Sequence, residues 1–169
     1  MKIVITGFMG SGKTRLAREL ARRLNVEMVD LDDRVTEREG RSPAQLIVEE
    51  GEEAFRLIES DVLRELLDTD CTCVIALGGG AWIVDANRQL IDEHDCSTVW
   101  LDVPFGLCWA RIETSAEDRP LGRTREQAKA LFFRRRPIYQ LAKIHVQVRD
   151  EVDLDSLVTQ LDLSRRFSR

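Results

Sequence analysis

Short apolar runs alternate with longer amphipathic segments along this chain. The short runs lie at residues 2–6, 26–30, 73–77, 97–101 and 143–148. Between them, apolar residues recur at helical spacing, as at Leu16, Leu20 and Leu24. The run at 73–77 is almost entirely apolar, which indicates a strand that is buried on both faces. This order predicts an α/β fold in three layers, with a five-stranded parallel sheet between helices.

The longer segments predict where helices begin and end. A charged helical stretch is expected from about 33 to 67, with breaks at 40–43 and near Gly51. We expect further helices at 85–94, after Pro104 and at 152–161.

The segment 113–124 differs from its surroundings. It is polar and without periodicity, and it carries proline, glycine and two arginines. An ordinary surface loop would have the same composition, but in a phosphoryl-transfer enzyme such a segment is a candidate for a mobile lid. The chain length of 169 residues predicts a single domain over residues 1–169.

Composition and charge limit the partners. The formal net charge of −5 argues against nucleic acid, because phosphate backbones are bound by basic surfaces. No apolar run approaches the roughly 20 residues of a membrane-spanning helix, and the first strand leaves no room for a signal peptide. We therefore expect a cytoplasmic protein. The four cysteines lack zinc or disulfide spacing, so we expect reduced thiols that pack as small apolar side chains.

Residues 7–14 carry the most specific motif. Their sequence, GFMGSGKT, fits the phosphate-binding pattern G-x-x-x-x-G-K-[ST], and it lies between a predicted strand and a predicted helix. Loop N–H groups and the helix N-terminus would face the phosphates. Lys13 can reach the outer phosphates, and the Thr14 hydroxyl is a ligand for Mg²⁺. A chance match is disfavoured because both flanking elements are present.

Two aspartates follow the second predicted strand. Asp30 and Asp32 are separated by one residue, which on extended chain points both side chains the same way. Beside a triphosphate, one could support Mg²⁺ and the other could serve as general base on an acceptor hydroxyl. Helix capping is the alternative. We favour the functional interpretation, because ligands bind at the carboxyl ends of parallel strands.

Three further features are suited to a small anionic acceptor. Arg56 is followed three residues later by Glu59, which could hold it in place on a helix. Three consecutive glycines at 78–80 allow close approach of backbone to a substrate. A basic cluster at 134–136 could aim an arginine at a carboxylate. The ordinary alternatives are a solvated arginine, a simple turn and a charged helix face.

In this order, the segments resemble the shikimate kinase family. The matching residues are 7–14, Asp30-x-Asp32, 40–42, Gly51-Glu52 with Phe55-Arg56 and Glu59, 77–80, 119–121, and Arg135-x-Pro137-x-Tyr139. The resemblance spans residues 3 to about 148. Many families share the phosphate-binding loop, whereas the ordered series is much more specific.

The resemblance implies a P-loop kinase of the nucleoside-monophosphate-kinase-like architecture. Its reaction would be transfer of the ATP γ-phosphate to the 3-hydroxyl of shikimate, in aromatic amino-acid biosynthesis. ATP and shikimate would be the substrates and Mg²⁺ the cofactor. Residues 33–60 would form a substrate-binding helical segment. We expect a monomer without an obligatory protein partner.

The resemblance also implies roles for individual residues. The catalytic group would be Asp32, as base, with Lys13 and Arg119. ATP would contact Gly10, Ser11, Gly12, Lys13, Thr14, Arg15, Arg111 and Arg119. Shikimate would contact Asp32, Phe55, Arg56, Gly78, Gly79, Gly80, Pro120 and Arg135. Mg²⁺ would bind Thr14 directly and Asp30 through water. Arg134 and Arg136 flank Arg135, so which of the three guanidinium groups faces the substrate stays open.

Two other functions are compatible with the phosphate-binding loop. A kinase of the same fold could act on gluconate or on a nucleoside monophosphate. An uncharged sugar would not require paired arginines, and a nucleotide acceptor would usually need a larger insert than residues 32–73 provide. A non-catalytic nucleotide-binding module is the second alternative. The intact Lys13, Thr14, Asp32 and Arg119 argue against it.

Overall fold

Five parallel strands form one sheet, and helices connect them. The computed structural model of the chain describes residues 1–115, 120–148 and 152–166. The strands are β1 (Lys2–Thr6), β2 (Glu27–Asp30), β3 (Cys73–Ala76), β4 (Ser97–Asp102) and β5 (Ile144–Gln147). The helices are α1 (Lys13–Leu24), α2 (Leu31–Glu39), α3 (Pro43–Glu50), α4 (Glu52–Leu67), α5 (Asp85–Glu93), α6 (Phe105–Thr114), α7 (Arg125–Tyr139) and α8 (Leu154–Arg166). The predicted α/β fold with a five-stranded parallel sheet is confirmed.

The strand order is β2-β3-β1-β4-β5, which places β1 at the centre. Ile5 of β1 lies opposite Ala76 of β3 and Val99 of β4, and Asp30 of β2 also lies opposite Ala76. Neighbouring strands therefore end at the same level. Because the strands are parallel, the loops after β1, β2 and β3 leave the same edge of the sheet. The phosphate-binding loop, the two aspartates and the three glycines meet there, as the sequence predicts.

Burial explains why the strands differ in their patterns. Ile3, Val4 and Ile5 have no exposed surface, because β1 is flanked by strands on both sides and covered on both faces. At the edge of the sheet, β5 alternates instead: Ile144 is buried and His145 is exposed. Strand pattern thus follows position in the sheet, and the interior strand β3 (Cys73–Ala76) is apolar and buried throughout.

Helix α1 holds the phosphate-binding loop against the sheet. Its buried face consists of Leu16, Ala17, Leu20 and Ala21. It begins at Lys13, within the phosphate-binding motif. It ends at Leu24, the capping residue Asn25 adopts a left-handed φ of 54°, and Val26 N–H donates to the Ala21 carbonyl at 3.0 Å.

The charged stretch from 33 to 67 forms parts of three helices, α2, α3 and α4. They are separated at Gly40 and Gly51, where φ is 68° and 93°, so both predicted breaks are confirmed. Ser42 and Gln45 form a reciprocal cap at the start of α3. The longest described helix, α4, has 16 residues, and none of the described helices is long and apolar enough to cross a bilayer.

The predicted lid at 113–124 is only partly described. Helix α6 continues to Thr114, and a short 3-10 turn covers Pro120–Gly122. Residues 116–119, which include Arg119, lie outside the described residues. The lid therefore stays a prediction.

All four cysteines are free thiols. Cys73, Cys96 and Cys108 are buried in the apolar core, as expected for small apolar side chains. Cys71 is half-buried, with its Sγ 3.2 Å from that of Cys73.

Candidate active site

A cleft of about 820 Å³ opens at the edge where β1, β2 and β3 end. The predicted site residues that line it are Gly10, Gly12, Lys13, Thr14, Asp30, Asp32, Phe55, Arg56, Gly78, Gly79, Gly80, Arg111 and Arg135. These residues come from loops and helices that are distant in sequence. The fold thus brings the phosphate-binding loop and the predicted acceptor residues to one space.

Backbone geometry and side-chain contacts fix the phosphate-binding loop. Gly10 has a φ of 73°, and a Cβ at this position would lie 2.5 Å from the Cys108 carbonyl oxygen, so only glycine fits. Lys13 Nζ donates to the Phe8 carbonyl at 3.0 Å. Arg111 of α6 donates through Nη1 to the Gly10 and Ser11 carbonyls, at 3.2 and 3.0 Å. Arg111 therefore supports the loop from outside as well as lining the cleft.

Two side chains predicted to contact ATP are not part of the cleft lining. Arg15 lies on the exposed face of α1 and forms an ion pair with Glu19 at 2.9 Å. Ser11 is buried, close to Gly7, and its Oγ has no hydrogen-bond partner among the described residues. Helical spacing turns the Arg15 side chain away from the loop. The predicted contact of Arg15 with ATP stays a prediction.

Asp30 joins the phosphate-binding loop to the start of α2. Its Oδ2 accepts a hydrogen bond from Thr14 Oγ1 at 2.8 Å, and its Oδ1 accepts one from Asp32 N–H at 3.0 Å. Asp30 is thus the helix cap that the sequence offered as an alternative, and it also holds the threonine of the loop. Capping and a role beside the phosphates are compatible.

Asp32 reaches the cleft from a helix, not from a strand. Strand β2 ends at Asp30, and Asp32 lies in the first turn of α2. The expectation that extended chain aligns the two aspartates was therefore wrong, although both line the cleft. The cap at Asp30 starts the helix one residue after the strand.

The surroundings of Asp32 favour a proton acceptor. Burial, and next the Asp30 carboxylate, raise the pKa of Asp32 to about 6, while Lys13 and Arg56 act in the opposite direction. Asp32 is then ionised at neutral pH, yet it accepts a proton more readily than an ordinary aspartate does.

Two arginines, Arg56, which is half-buried, and Arg135, which is buried, line the same cleft. Arg56 of α4 donates to Glu59 Oε2 at 2.6 Å and to Glu52 Oε1 at 3.2 Å. Arg135 of α7 lies 3.8 Å from the same Glu52 oxygen. The two side chains are only 17% and 7% exposed. Two nearby guanidinium groups, both shielded from water, form a strong site for an anion.

The structure distinguishes the three consecutive arginines of α7. Arg134 is exposed, and Arg136 forms an ion pair with Asp102 at 3.1 Å. Arg135 alone of the three lines the cleft. Consecutive residues face different sides of a helix, and the side toward the cleft is the one that Arg135 occupies.

The three glycines form the wall between these groups. The Gly79 carbonyl accepts hydrogen bonds from Arg135 Nη1 at 3.1 Å and from the Tyr139 hydroxyl at 2.5 Å. A Cβ at Gly80 would lie 2.1 Å from Arg56 Nη2. The absence of side chains thus lets Arg56 lie against the backbone. Tyr139 was part of the matching motif without an assigned role, and here it positions the Gly79 carbonyl.

Several cleft residues were not named individually among the predicted contacts. They are Met9, Asp33, Thr36, Ser42, Pro43, Ala44, Ile47, Glu59, Leu77, Ser115 and Leu121. All of them lie in segments that the sequence analysis singled out, but no local signal showed which side chains of those segments line the cleft. Glu59 was predicted as a partner of Arg56, which is confirmed, but not as a cleft residue. Arg119 and the side chain of Pro120 lie outside the described residues.

Comparison with known proteins decides the family. The model of the shikimate kinase family matches residues 9–162.

The chain belongs to the shikimate kinase family.

Curated members of this family share its sequence over most of the length. The shikimate kinase of Cereibacter sphaeroides is 39% identical over 148 residues, which cover 86% of this chain and 73% of that protein. The shikimate kinase of Aquifex aeolicus is 35% identical over 166 residues, covering 97% and 95%. The predicted resemblance and the class of ATP-dependent kinase are thus confirmed.

Solved structures confirm the architecture. Shikimate kinase from Acinetobacter baumannii, in complex with shikimate, superposes with a TM-score of 0.86 at 30% identity, over 97% of this chain and 93% of that one. A gluconokinase from Sinorhizobium meliloti has a TM-score of 0.67 at 16% identity, over 99% and 96%. That second likeness shows the fold alone. The predicted P-loop kinase architecture is confirmed.

Gly80→Ala should destabilise the protein by about 1–3 kcal/mol, because the new methyl group displaces Arg56 and leaves the buried Glu59 without its partner. The φ of Gly80 is −113°, which alanine adopts freely, so the effect is steric. Denaturant unfolding measures it. The matched control is Gly106→Ala in α6, where a Cβ meets nothing within 4 Å. Equal stability of the two variants would contradict the prediction.

Proposed function

We propose that this chain phosphorylates shikimate: it transfers the γ-phosphoryl group of ATP to the 3-hydroxyl, which gives shikimate 3-phosphate and ADP. The observation that carries the proposal is the pair of largely shielded guanidinium groups, Arg56 and Arg135, in the same cleft as the phosphate-binding loop and Asp32. Shikimate is a small ring with one carboxylate and several hydroxyls. The two arginines can donate charge-assisted hydrogen bonds to the carboxylate, and Asp32 can accept a hydrogen bond from a hydroxyl.

The similar structure from Acinetobacter baumannii supports this choice of acceptor, since that protein is in complex with shikimate. Arg56 and Arg135 would bind the acceptor carboxylate from two helices. Phe55, whose ring lies under the Arg56 guanidinium at 4.9 Å, would form part of the ring pocket. The glycine backbone at 78–80 would border the ring on the other side.

The phosphate-binding loop would hold ATP. Its N–H groups and the N-terminus of α1 form an anion site, and Lys13 adds a positive charge for the outer phosphates. In this proposal Arg119 completes the positive charge around the transferred phosphate. Phosphoryl transfer depends mainly on positioning and charge, which these groups supply.

The residues at the loop fit Mg²⁺. Thr14 Oγ1 and Asp30 Oδ2 lie 2.8 Å apart, and both are the hard oxygen donors that this ion prefers. We propose that Thr14 binds the ion directly and Asp30 through water. When bound, Mg²⁺ would neutralise charge on the β- and γ-phosphates. Asp30 would also keep Thr14 oriented by its hydrogen bond.

Asp32 would orient the 3-hydroxyl and accept its proton at a carboxylate oxygen. Lys13 and Arg56 both act electrostatically on Asp32, which supports a role between the phosphate donor and the acceptor. The predicted monomeric state and cytoplasmic location stay predictions.

A direct assay tests the function. Purified protein with ATP and Mg²⁺ should form ADP and shikimate 3-phosphate from shikimate, at a rate of about 1–100 s⁻¹ as in other kinases. Coupled ADP detection and phosphorus NMR of the product measure it. Gluconate and a nucleoside monophosphate serve as alternative acceptors. Equal turnover with gluconate, or ATP binding without turnover, would refute the proposal.

Asp32→Asn should lower kcat by about 10²–10⁴-fold, because the amide no longer accepts the hydroxyl proton. ATP affinity should change little, since the phosphates are held by the loop. Steady-state kinetics and nucleotide titration separate the two effects. An unchanged kcat would remove Asp32 from the role of base.

Arg135→Ala should raise the KM for shikimate by about 10–100-fold with nearly unchanged ATP affinity, because a charge-assisted contact to the carboxylate is lost. Arg134→Ala is the matched control, since that neighbour is exposed and points away from the cleft. The reverse result, with a large effect only for Arg134, would show that the wrong guanidinium was assigned.

A further inference from the structure

Glu59 is a buried carboxylate with one oxygen left without a partner. Glu59 has no exposed surface. Arg56 donates to Oε2 at 2.6 Å, whereas Oε1 has no hydrogen-bond partner among the described residues. A buried carboxylate with an unsatisfied oxygen is costly when it is ionised. It stays ionised only if positive charge lies near it.

The unpartnered oxygen lies close to a second acid. A carbon atom placed on Gly78 would lie 2.8 Å from Glu59 Oε1 and 2.5 Å from Asp32 Oδ1. Both oxygens therefore lie next to the bare backbone of Gly78, where a side chain would meet them. Two carboxylates so placed repel each other when both are ionised.

Charges from three helices face Glu59. Arg56 and Glu52 belong to its own helix α4, Asp32 to α2 and Arg135 to α7, where Tyr139 contacts Arg135. Lys13 and Asp30 act on Asp32 from the phosphate-binding loop. Burial raises the pKa of Glu59 to about 7, Arg56 opposes this, and Asp32 adds to it. The protonation of Glu59 is therefore balanced near neutral pH.

An acceptor carboxylate changes this balance. It would bind the two guanidinium groups that now compensate Glu59 and Glu52. The cleft then holds an additional negative charge and no additional positive one. A like charge within a few Å favours the neutral form of a carboxyl group.

We propose that Glu59 takes up a proton from solvent, on Oε1, when the carboxylate of the acceptor binds Arg56 and Arg135. The inference rests on the proposed function, since it requires an anionic acceptor at these arginines. No bond other than the O–H bond forms, and Arg56 keeps its contact with Oε2. Glu59 thereby frees positive charge for the substrate without leaving a second buried anion.

The consequence is that affinity for shikimate depends on pH. Because the bound state holds more protons, binding weakens as pH rises through the range in which Glu59 ionises. For one linked proton the slope is at most about tenfold in Kd per pH unit. Shikimate itself stays ionised throughout this range.

Isothermal titration calorimetry tests the proposal. Shikimate is titrated into the full chain at pH 8 in HEPES and in Tris, which differ in enthalpy of ionisation. The difference in observed enthalpy gives the number of protons exchanged. We expect uptake of about half a proton or more per shikimate bound. Identical binding enthalpies of the wild-type protein in the two buffers would show that no proton is exchanged, and this result alone would overturn the proposal.

Glu59→Gln identifies the group. The amide oxygen still accepts from Arg56, so the arginine is kept in place, but the side chain no longer titrates. In this variant, the number of protons taken up per shikimate bound should fall to near zero. The Kd for shikimate should then depend much less on pH. Glu52→Gln is the matched control, because that exposed carboxylate pairs with the same arginines. It should retain the uptake.

Uptake that persists in Glu59→Gln would overturn the assignment to Glu59. Shikimate binding without any proton exchange would overturn this inference and leave the proposed function intact. A lack of shikimate binding in wild-type protein would overturn both. Far-UV circular dichroism verifies that each variant is folded.

Discussion

The site depends on one constraint, the common level at which three neighbouring parallel strands end. β1 lies between β3 and β4, and β2 pairs with β3, so the segments that follow β1, β2 and β3 leave one edge together. The phosphate-binding loop at 7–14, the two aspartates and the glycines at 78–80 lie far apart in the sequence, but the sheet places them side by side. A shift of register in any one strand would separate the donor groups from the acceptor groups.

The cleft also depends on a balance of buried charge. Two arginines and two carboxylates, Arg56, Arg135, Asp32 and Glu59, lie in the cleft with little exposed surface, and the exposed Glu52 pairs with both arginines. Each of the four is tolerated because an opposite charge lies near it, and bare glycine backbone allows that closeness. Such a set responds as a whole when an anionic ligand enters, because solvent compensates these four charges only weakly. Protonation, ligand binding and side-chain position are therefore linked here.

Several residues serve local structure and the site at once. Asp30 caps α2 and accepts from Thr14, and Arg111 supports the loop carbonyls while lining the cleft. Gly10 permits a left-handed turn and close contact with α6. Asp30 therefore fits both interpretations that its sequence position allowed, a helix cap and a residue of the site. One carboxylate, Asp30, thus starts α2 through its bond from Asp32 N–H and positions Thr14 of the phosphate-binding loop through its other oxygen.

The sequence by itself determined the phosphate-binding loop, the α/β order of elements and the family resemblance. Each of these depends on short local patterns or on their order along the chain, and such patterns can be recognised without knowing which distant residues are in contact. Even Arg135 could be proposed from its motif. Only the tertiary structure decided that Arg135 faces the cleft while Arg136 pairs with Asp102, that Asp32 acts from a helix, and that Glu59 Oε1 lies beside it. These facts depend on how α2, α4 and α7 pack against the sheet edge, and contacts between distant elements leave no local pattern in the chain.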